Sequence, residues 1–241
     1  MSRFDFFLWV AFPYLCAAIF VAGHVWRYRH DQYGWTARST QLLERRLLRA
    51  GSLLFHVGIL AAIGGHVLGI LVPRSWTAAI GISDDAYHYL ALVAGSASGA
   101  AIVAGFAILV YRRIRIRRVR ATTTRSDLVL YPALAAAILF GMIATAWGGG
   151  VDHYAYRETV SPWFRGIFGF DPDGSLLANA SFVFQAHAVS TWLLLAIWPF
   201  TRLVHAWSVP VGYLRRAPIL YRTRKLGAVQ AGELLAHVQA R

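Results

Sequence analysis

Five stretches of this chain, residues 6–26, 52–72, 87–111, 128–147 and 182–201, contain no Asp, Glu, Lys or Arg. Each is close to the roughly 20 residues that a helix needs to cross a ~30 Å hydrocarbon core. A backbone in lipid must satisfy its own hydrogen bonds, so runs of this kind are read as spanning helices. With 57% hydrophobic and 15% charged residues among 241, the chain is too apolar for one water-soluble domain. The expected fold is an all-α integral membrane protein with five transmembrane helices.

The basic residues set the orientation. Lys plus Arg number 1 before the first run, then 6, 1, 7 and 2 in successive connections, and 7 after the last. Cationic loops stay on the cytoplasmic side. The N-terminus and the connections 73–86 and 148–181 therefore face outward, and the connections 27–51 and 112–127 and the C-terminus face the cytoplasm. The net charge of +13 is thus a matter of membrane topology and does not point to nucleic acid. Arg3 alone precedes the first run and no small-residue cleavage site follows it, so that run reads as a first spanning helix and not a signal peptide. Thr124 and Asp127 have capping-box spacing at the start of the fourth helix.

Histidines interrupt two of these apolar runs in a pattern that calls for a partner. His56 and His66 lie in the second, ten residues or ~15 Å apart, and His187 and His205 lie in and just beyond the fifth. The two helices run in opposite directions. His56 is therefore level with His205 near the cytoplasm, and His66 is level with His187 toward the outside. An imidazole in hydrocarbon is costly unless paired or coordinated. Two levels with one imidazole from each helix suit two stacked haems between helices 2 and 5, each with bis-histidine axial ligation. Cys16 is the only cysteine and no C-x-x-C-H occurs, so the haems would be held noncovalently and no Cys-ligated cluster is expected. Gly58, Ala61, Ala62, Gly65 and Gly69 give helix 2 a small-residue side, suited either to a flat macrocycle or to ordinary helix packing. One mismatch remains. The 18 residues from His187 to His205 span ~27 Å if helical, which leaves tilt, inclined haem planes or a kink at Pro199 to absorb the difference.

The segments "FHVGIL…GHVLG", "RVRATTT", "FQAH" and "RLVHAWSVPVGYL" resemble the gamma subunit, the di-haem cytochrome b, of membrane-bound respiratory nitrate reductase. The likeness extends over nearly the whole chain. It implies a subunit of the cytoplasmic (inner) membrane carrying two haem b groups, with iron ligands His56 and His205 for the inner haem and His66 and His187 for the outer. It further implies quinol oxidation near the outer haem, and electron delivery to an iron-sulfur beta subunit and then to a molybdenum catalytic alpha subunit where nitrate is reduced. Residues 1–214 would form the di-haem domain, and the basic tail 215–241 would dock on the partner subunits. The related proteins use a lysine in the loop after helix 2, whereas the only lysine here is Lys225. The quinol site is therefore expected around Gly65, His66 and Gly69, with His88 or Asp85 in the lysine's place.

Other residues have plainer readings beside functional ones. The run containing Arg112, Arg113, Arg115, Arg117, Arg118 and Arg120 fits positive-inside topology and lipid headgroups, with Arg112 also a candidate for a propionate of the inner haem. His24, His30, His153 and His237 read as surface or interface residues, His24 being the one exception in prospect. The connection 149–180 is either a lid over the outer site or a simple connector. Two rival classes share parts of the pattern: the cytochrome b of a formate dehydrogenase or hydrogenase, and a proton-coupled transporter using membrane histidines. The "RATTT" and "HAWSVP" segments speak against the first, and the lack of carboxylates or lysines inside the spans against the second.

The charge alternation makes a direct prediction. A reporter fused after Arg241 will be cytoplasmic and one inserted in the connection 149–180 will be outside, as read by paired phosphatase and fluorescent-protein fusions.

Overall fold

A computed structural model describes residues 1–149 and 155–207. The expectations for His153, His237, Lys225 and the tail 215–241 lie outside the described residues. Among them, the chain forms five helices long and apolar enough to span a membrane: α1 (Arg3–His30), α2 (Arg46–Leu71), α4 (Asp84–Arg115), α6 (Arg125–Gly148) and α9 (Phe182–Phe200). Short helices fill the connections, namely α3 (Arg74–Ala79), α5 (Arg117–Arg120), α7 (Val160–Phe168) and α8 (Gly174–Ala178). Large apolar side chains such as Leu53, Val57, Leu60, Tyr89, Leu128 and Leu139 face outward, as expected of a lipid-facing surface.

Glycines set the tightest helix pair. A Cβ on Gly58 of α2 would stand 2.8 Å from the Ser98 carbonyl of α4, and one on Gly105 of α4 would stand 2.7 Å from the Gly51 carbonyl of α2. The two backbones thus touch directly, the close approach that small residues permit between membrane helices. The small-residue side of α2 accordingly divides. Gly58 serves helix packing, whereas a Cβ on Gly65 would meet nothing within 4 Å.

The connection from residue 155 to 180 folds as a helical cap. Trp163 of α7 is buried, donates from its indole to the Trp9 carbonyl at 2.7 Å and meets the Trp9 ring edge-on. With Ile167, Leu177, Ala180 and Ala188 these residues form a core beside the N-terminal halves of α1 and α9. The cap also finishes α2, whose last turn, Val67–Leu71, is π-helical and stops at Val72 before Pro73. The Gly69 and Ile70 carbonyls freed there accept from Ser161 at 2.9 Å and Arg165 at 2.8 Å.

On the side of the α2 N-terminus, one buried ion pair organises the connection 31–45. Arg112 donates to the Glu44 carboxylate at 2.6 Å, to the Thr40 hydroxyl at 2.8 Å and to the Thr40 and Glu44 carbonyls. The same carboxylate caps α2 by accepting from the Leu47 and Leu48 amides. Burial alone would raise Glu44, but the Leu47 amide and Arg112 bring its carboxyl below the usual range. The capping box at Thr124 and Asp127 is present at the start of α6.

Overpacking a close backbone crossing costs about 1–3 kcal/mol. Gly105→Leu will lower the thermal midpoint of the detergent-solubilised protein, while Ala104→Leu, at an exposed neighbouring position, will leave it nearly unchanged.

Candidate functional site

The fifth spanning helix does not continue to His205. Its α-helical part ends at Ile197, a 3-10 turn covers Trp198–Phe200, and Thr201 is extended. A second 3-10 segment, Arg202–Trp207, carries His205. The chain doubles back here. Trp198 and Trp207 would lie about 14 Å apart along a straight helix, yet their ring centres are 6.2 Å apart. This corrects the placement of His205 at the end of a continuous helix and removes the spacing mismatch. From His187 to Ile197 is ten residues, the same rise as from His56 to His66, and the return segment brings His205 back to the level of His56.

Pro199 can donate no amide hydrogen bond, and Gly23 of α1 gives it room, since a Cβ there would lie 2.8 Å from the Pro199 ring. Buried Arg27 then donates to the Pro199 carbonyl at 2.6 Å and the Thr201 carbonyl at 3.1 Å. Trp35 donates to the Val204 carbonyl at 2.7 Å. Arg202 grips the fully buried Asp127 of α6 with two hydrogen bonds, at 2.8 and 2.6 Å. Arg27, Trp35, Asp127 and Arg202 therefore hold the histidine-bearing turn. Sequence reading had given Asp127 only its cap, and the proline had been the one hint of a break.

The four histidines meet in two pairs. The His56 and His205 ring centres are 5.9 Å apart, and those of His66 and His187 are 6.0 Å apart. In every case Nδ1 faces a backbone carbonyl: Ser52 for His56, Ala62 for His66, Ala137 for His187 and Arg202 for His205, at 2.7, 2.7, 3.1 and 2.5 Å. A carbonyl only accepts, so Nδ1 carries the proton and Nε2 keeps its lone pair. This is the tautomer of a metal-ligating imidazole oriented by its second nitrogen. Gly141 of α6 makes room for the His66–His187 pair, since a Cβ there would stand 2.9 Å from the His187 ring.

The spacing fits a shared metal. A ligating imidazole nitrogen sits about 2.0–2.1 Å from its metal and about 1.2 Å from its own ring centre, so two axial imidazoles have centres roughly 6.4 Å apart. Among the described residues no three His, Cys, Asp or Glu side chains converge. Each pair thus offers two protein donors, which suits a group that brings its remaining donors with it, as a haem does.

The quinol-site candidates separate in space. Gly65 borders open space and Gly69 is closed over, since a Cβ there would meet the Tyr156 hydroxyl at 3.0 Å and the Tyr87 hydroxyl at 3.1 Å. His88 is half-buried near the start of α4, and Asp85 is exposed on its first turn. Burial, with Tyr87 as neighbour, pushes the Tyr156 phenol well above its ordinary value. Arginines stand around this end of α2: Arg165 on the Ile70 carbonyl, Arg157 over the Tyr87 ring, and Arg74 paired with Asp84 and Glu158. Arg112, considered for an inner propionate, is engaged by Glu44 and Thr40. His24 donates to the Phe20 carbonyl within an aromatic group that includes Trp35 and Trp207.

Comparison with known proteins gives one consistent result. A family profile described as the nitrate reductase gamma subunit matches residues 5–224. The chain is 49% identical over 219 residues to a nitrate reductase-like protein NarX of Mycobacterium tuberculosis, covering 90% of this chain but only 34% of that protein. It is 45% identical over 217 residues to the nitrate reductase gamma chain of Bacillus subtilis, covering 90% of this chain and 97% of that one. To the respiratory nitrate reductase 1 gamma chain of Escherichia coli it is 33% identical over 225 residues, covering 93% and 100%.

Proposed function

The chain belongs to the nitrate reductase gamma subunit family, and on that premise we propose that it is the quinol-oxidising cytochrome b of such a complex. It is a membrane subunit of an oxidoreductase. The observation that carries the reading is the pair of two-histidine sites, with ring centres 5.9 and 6.0 Å apart and all four Nε2 lone pairs free of backbone bonds.

In this reading His56 and His205 hold an inner haem b and His66 and His187 an outer one. When bound, haem b would supply one-electron carriage, held by one imidazole from each of the two facing segments. The protein's own contribution is positional. Backbone carbonyls fix the orientation of each ring, and the helical cap finishes α2 through Ser161 and Arg165. Gly65 supplies open space beside His66 for the ring of a quinol, whereas Gly69 is closed over by the Tyr87 and Tyr156 hydroxyls. Two protons leave on the outer side while the electrons cross inward, so the turnover separates charge. The electrons pass to an iron-sulfur subunit at the cytoplasmic face, and nitrate is reduced on a further, molybdenum-bearing subunit. The N-terminus is outside, and the protein resides in the cytoplasmic membrane.

Substitution of the ligands tests this. His66→Tyr will remove the outer haem and His56→Tyr the inner one, because a phenol does not replace the neutral imidazole that low-spin iron prefers. Haem content by pyridine haemochrome will fall from two to one per chain in either case. Quinol-driven nitrate reduction will be lost, while reduction by a soluble donor that bypasses this chain will survive. Retention of two haems and of quinol oxidation in His66→Tyr would refute the assignment.

A further inference from the structure

The connection 31–45 presents Tyr33 and Leu42 at 98 and 102% of full exposure, more than any other large apolar side chain among the described residues. Most exposed apolar side chains of this protein lie on the spanning helices, where lipid covers them. These two do not, because α1 ends at His30 and α2 begins at Arg46. The connection is nevertheless pinned along its length. The Gly34 carbonyl accepts from Arg27 at 2.6 Å, the Trp35 indole donates to the Val204 carbonyl at 2.7 Å, and Arg112 grips Thr40 and Glu44. Inward residues thus fix the backbone while Tyr33 and Leu42 stand in water.

Burying a side chain of this size is worth about 1.5–3 kcal/mol, and a loop already fixed loses little conformational freedom when it binds. The charge beside the two residues narrows the partner. Arg45, Arg46 and Arg49 line one surface hollow at the start of α2, with Ala50 and Leu53, and among the described residues none of the three has a carboxylate within ion-pair distance. The complementary surface is therefore acidic, and Tyr and Arg are the residue types enriched at the energetic centres of protein interfaces. Position narrows it further. Trp35 bonds the residue next to His205, and Arg202 reaches the Ala37 carbonyl at 3.5 Å, so the connection lies directly against the segment that carries the His205 ring. Electron transfer falls off steeply with distance, which favours an acceptor seated here.

We propose that the connection 31–45 is the docking surface for the soluble iron-sulfur subunit, with Tyr33 and Leu42 as apolar anchors and Arg45, Arg46 and Arg49 facing carboxylates of that partner. This rests on the reading that electrons leave the bundle from a haem held by His56 and His205. The connection then has two faces. Gly34 and Trp35 help to hold the turn that carries His205, and Tyr33 and Leu42 receive the acceptor. A lipid headgroup would satisfy the arginines and leave Tyr33 and Leu42 without apolar cover, and a second copy of this chain would bring a surface of the same charge.

The test uses the whole complex, captured in detergent through a tag on this chain. It reads b haem per chain, iron-sulfur subunit retained per chain, and the rate at which nitrate reoxidises quinol-reduced haem. Tyr33→Ser combined with Leu42→Ser should keep two haems and their reduction by quinol, yet lower partner retention or the reoxidation rate at least tenfold. Arg45→Glu combined with Arg46→Glu should do the same. Phe170→Ser, at an exposed aromatic position on the connection 155–180, should leave all three readouts unchanged. Wild-type retention and reoxidation in both double variants would overturn the proposal. So would loss of the His56–His205 haem in step with the partner, which would make the connection only a brace for His205. Loss of co-purifying anionic phospholipid with the partner retained would give the surface to the membrane and overturn it as well. A wild-type complex whose haems are reduced by quinol but never reoxidised through a bound iron-sulfur subunit would instead defeat the underlying reading, and the proposal with it.

Discussion

Each of four imidazoles in this membrane bundle spends one nitrogen on a backbone carbonyl and keeps the other bare. A polar atom in hydrocarbon must find a partner, and in helices already closed on their own hydrogen bonds the second lone pair of a carbonyl is a ready acceptor. That bond fixes the tautomer and aims Nε2 across the bundle. The rest of the fold can be understood as what brings the four bare nitrogens into two facing pairs.

For the His66–His187 pair the work is done by shape. Gly141 leaves room for the His187 ring against α6, and the Ala137 carbonyl of that helix orients it. For the His56–His205 pair it is done by charge and by a broken helix. The chain stops at Ile197, turns at Pro199, and returns with its carbonyls held by Arg27 and its Arg202 locked on Asp127. Removing one partner from a buried ion pair typically costs about 3–5 kcal/mol. The return segment is too short to hold itself in place, so His205 depends on side chains from α1 and α6.

Much of this was legible in the sequence because it depends on one-dimensional quantities. Charge-free runs of fixed length mark the five spans. Counting residues from each membrane surface paired His56 with His205 and His66 with His187, the partners whose rings now face one another. What the sequence concealed is non-local. The ~27 Å span along helix 5 does not hold because the helix breaks at Pro199, one of the three ways the sequence offers to absorb the mismatch with helix 2. Arg112 looked like a free cation in a run of arginines, and only the fold brings Glu44 and Thr40 to it. The small residues of α2 looked like one feature, yet Gly58, Gly65 and Gly69 face a helix backbone, open space and two tyrosine hydroxyls respectively. Periodicity places residues on a face but does not say what stands opposite.

The central claim is that the two histidine pairs are axial ligand sets for two haems. A reduced-minus-oxidised optical spectrum of the purified chain, with haem quantified per polypeptide, addresses it most directly. The account predicts the α-band of low-spin b-type haem at two equivalents per chain. A chain that is folded and membrane-inserted but holds no haem, or a single equivalent, would contradict it.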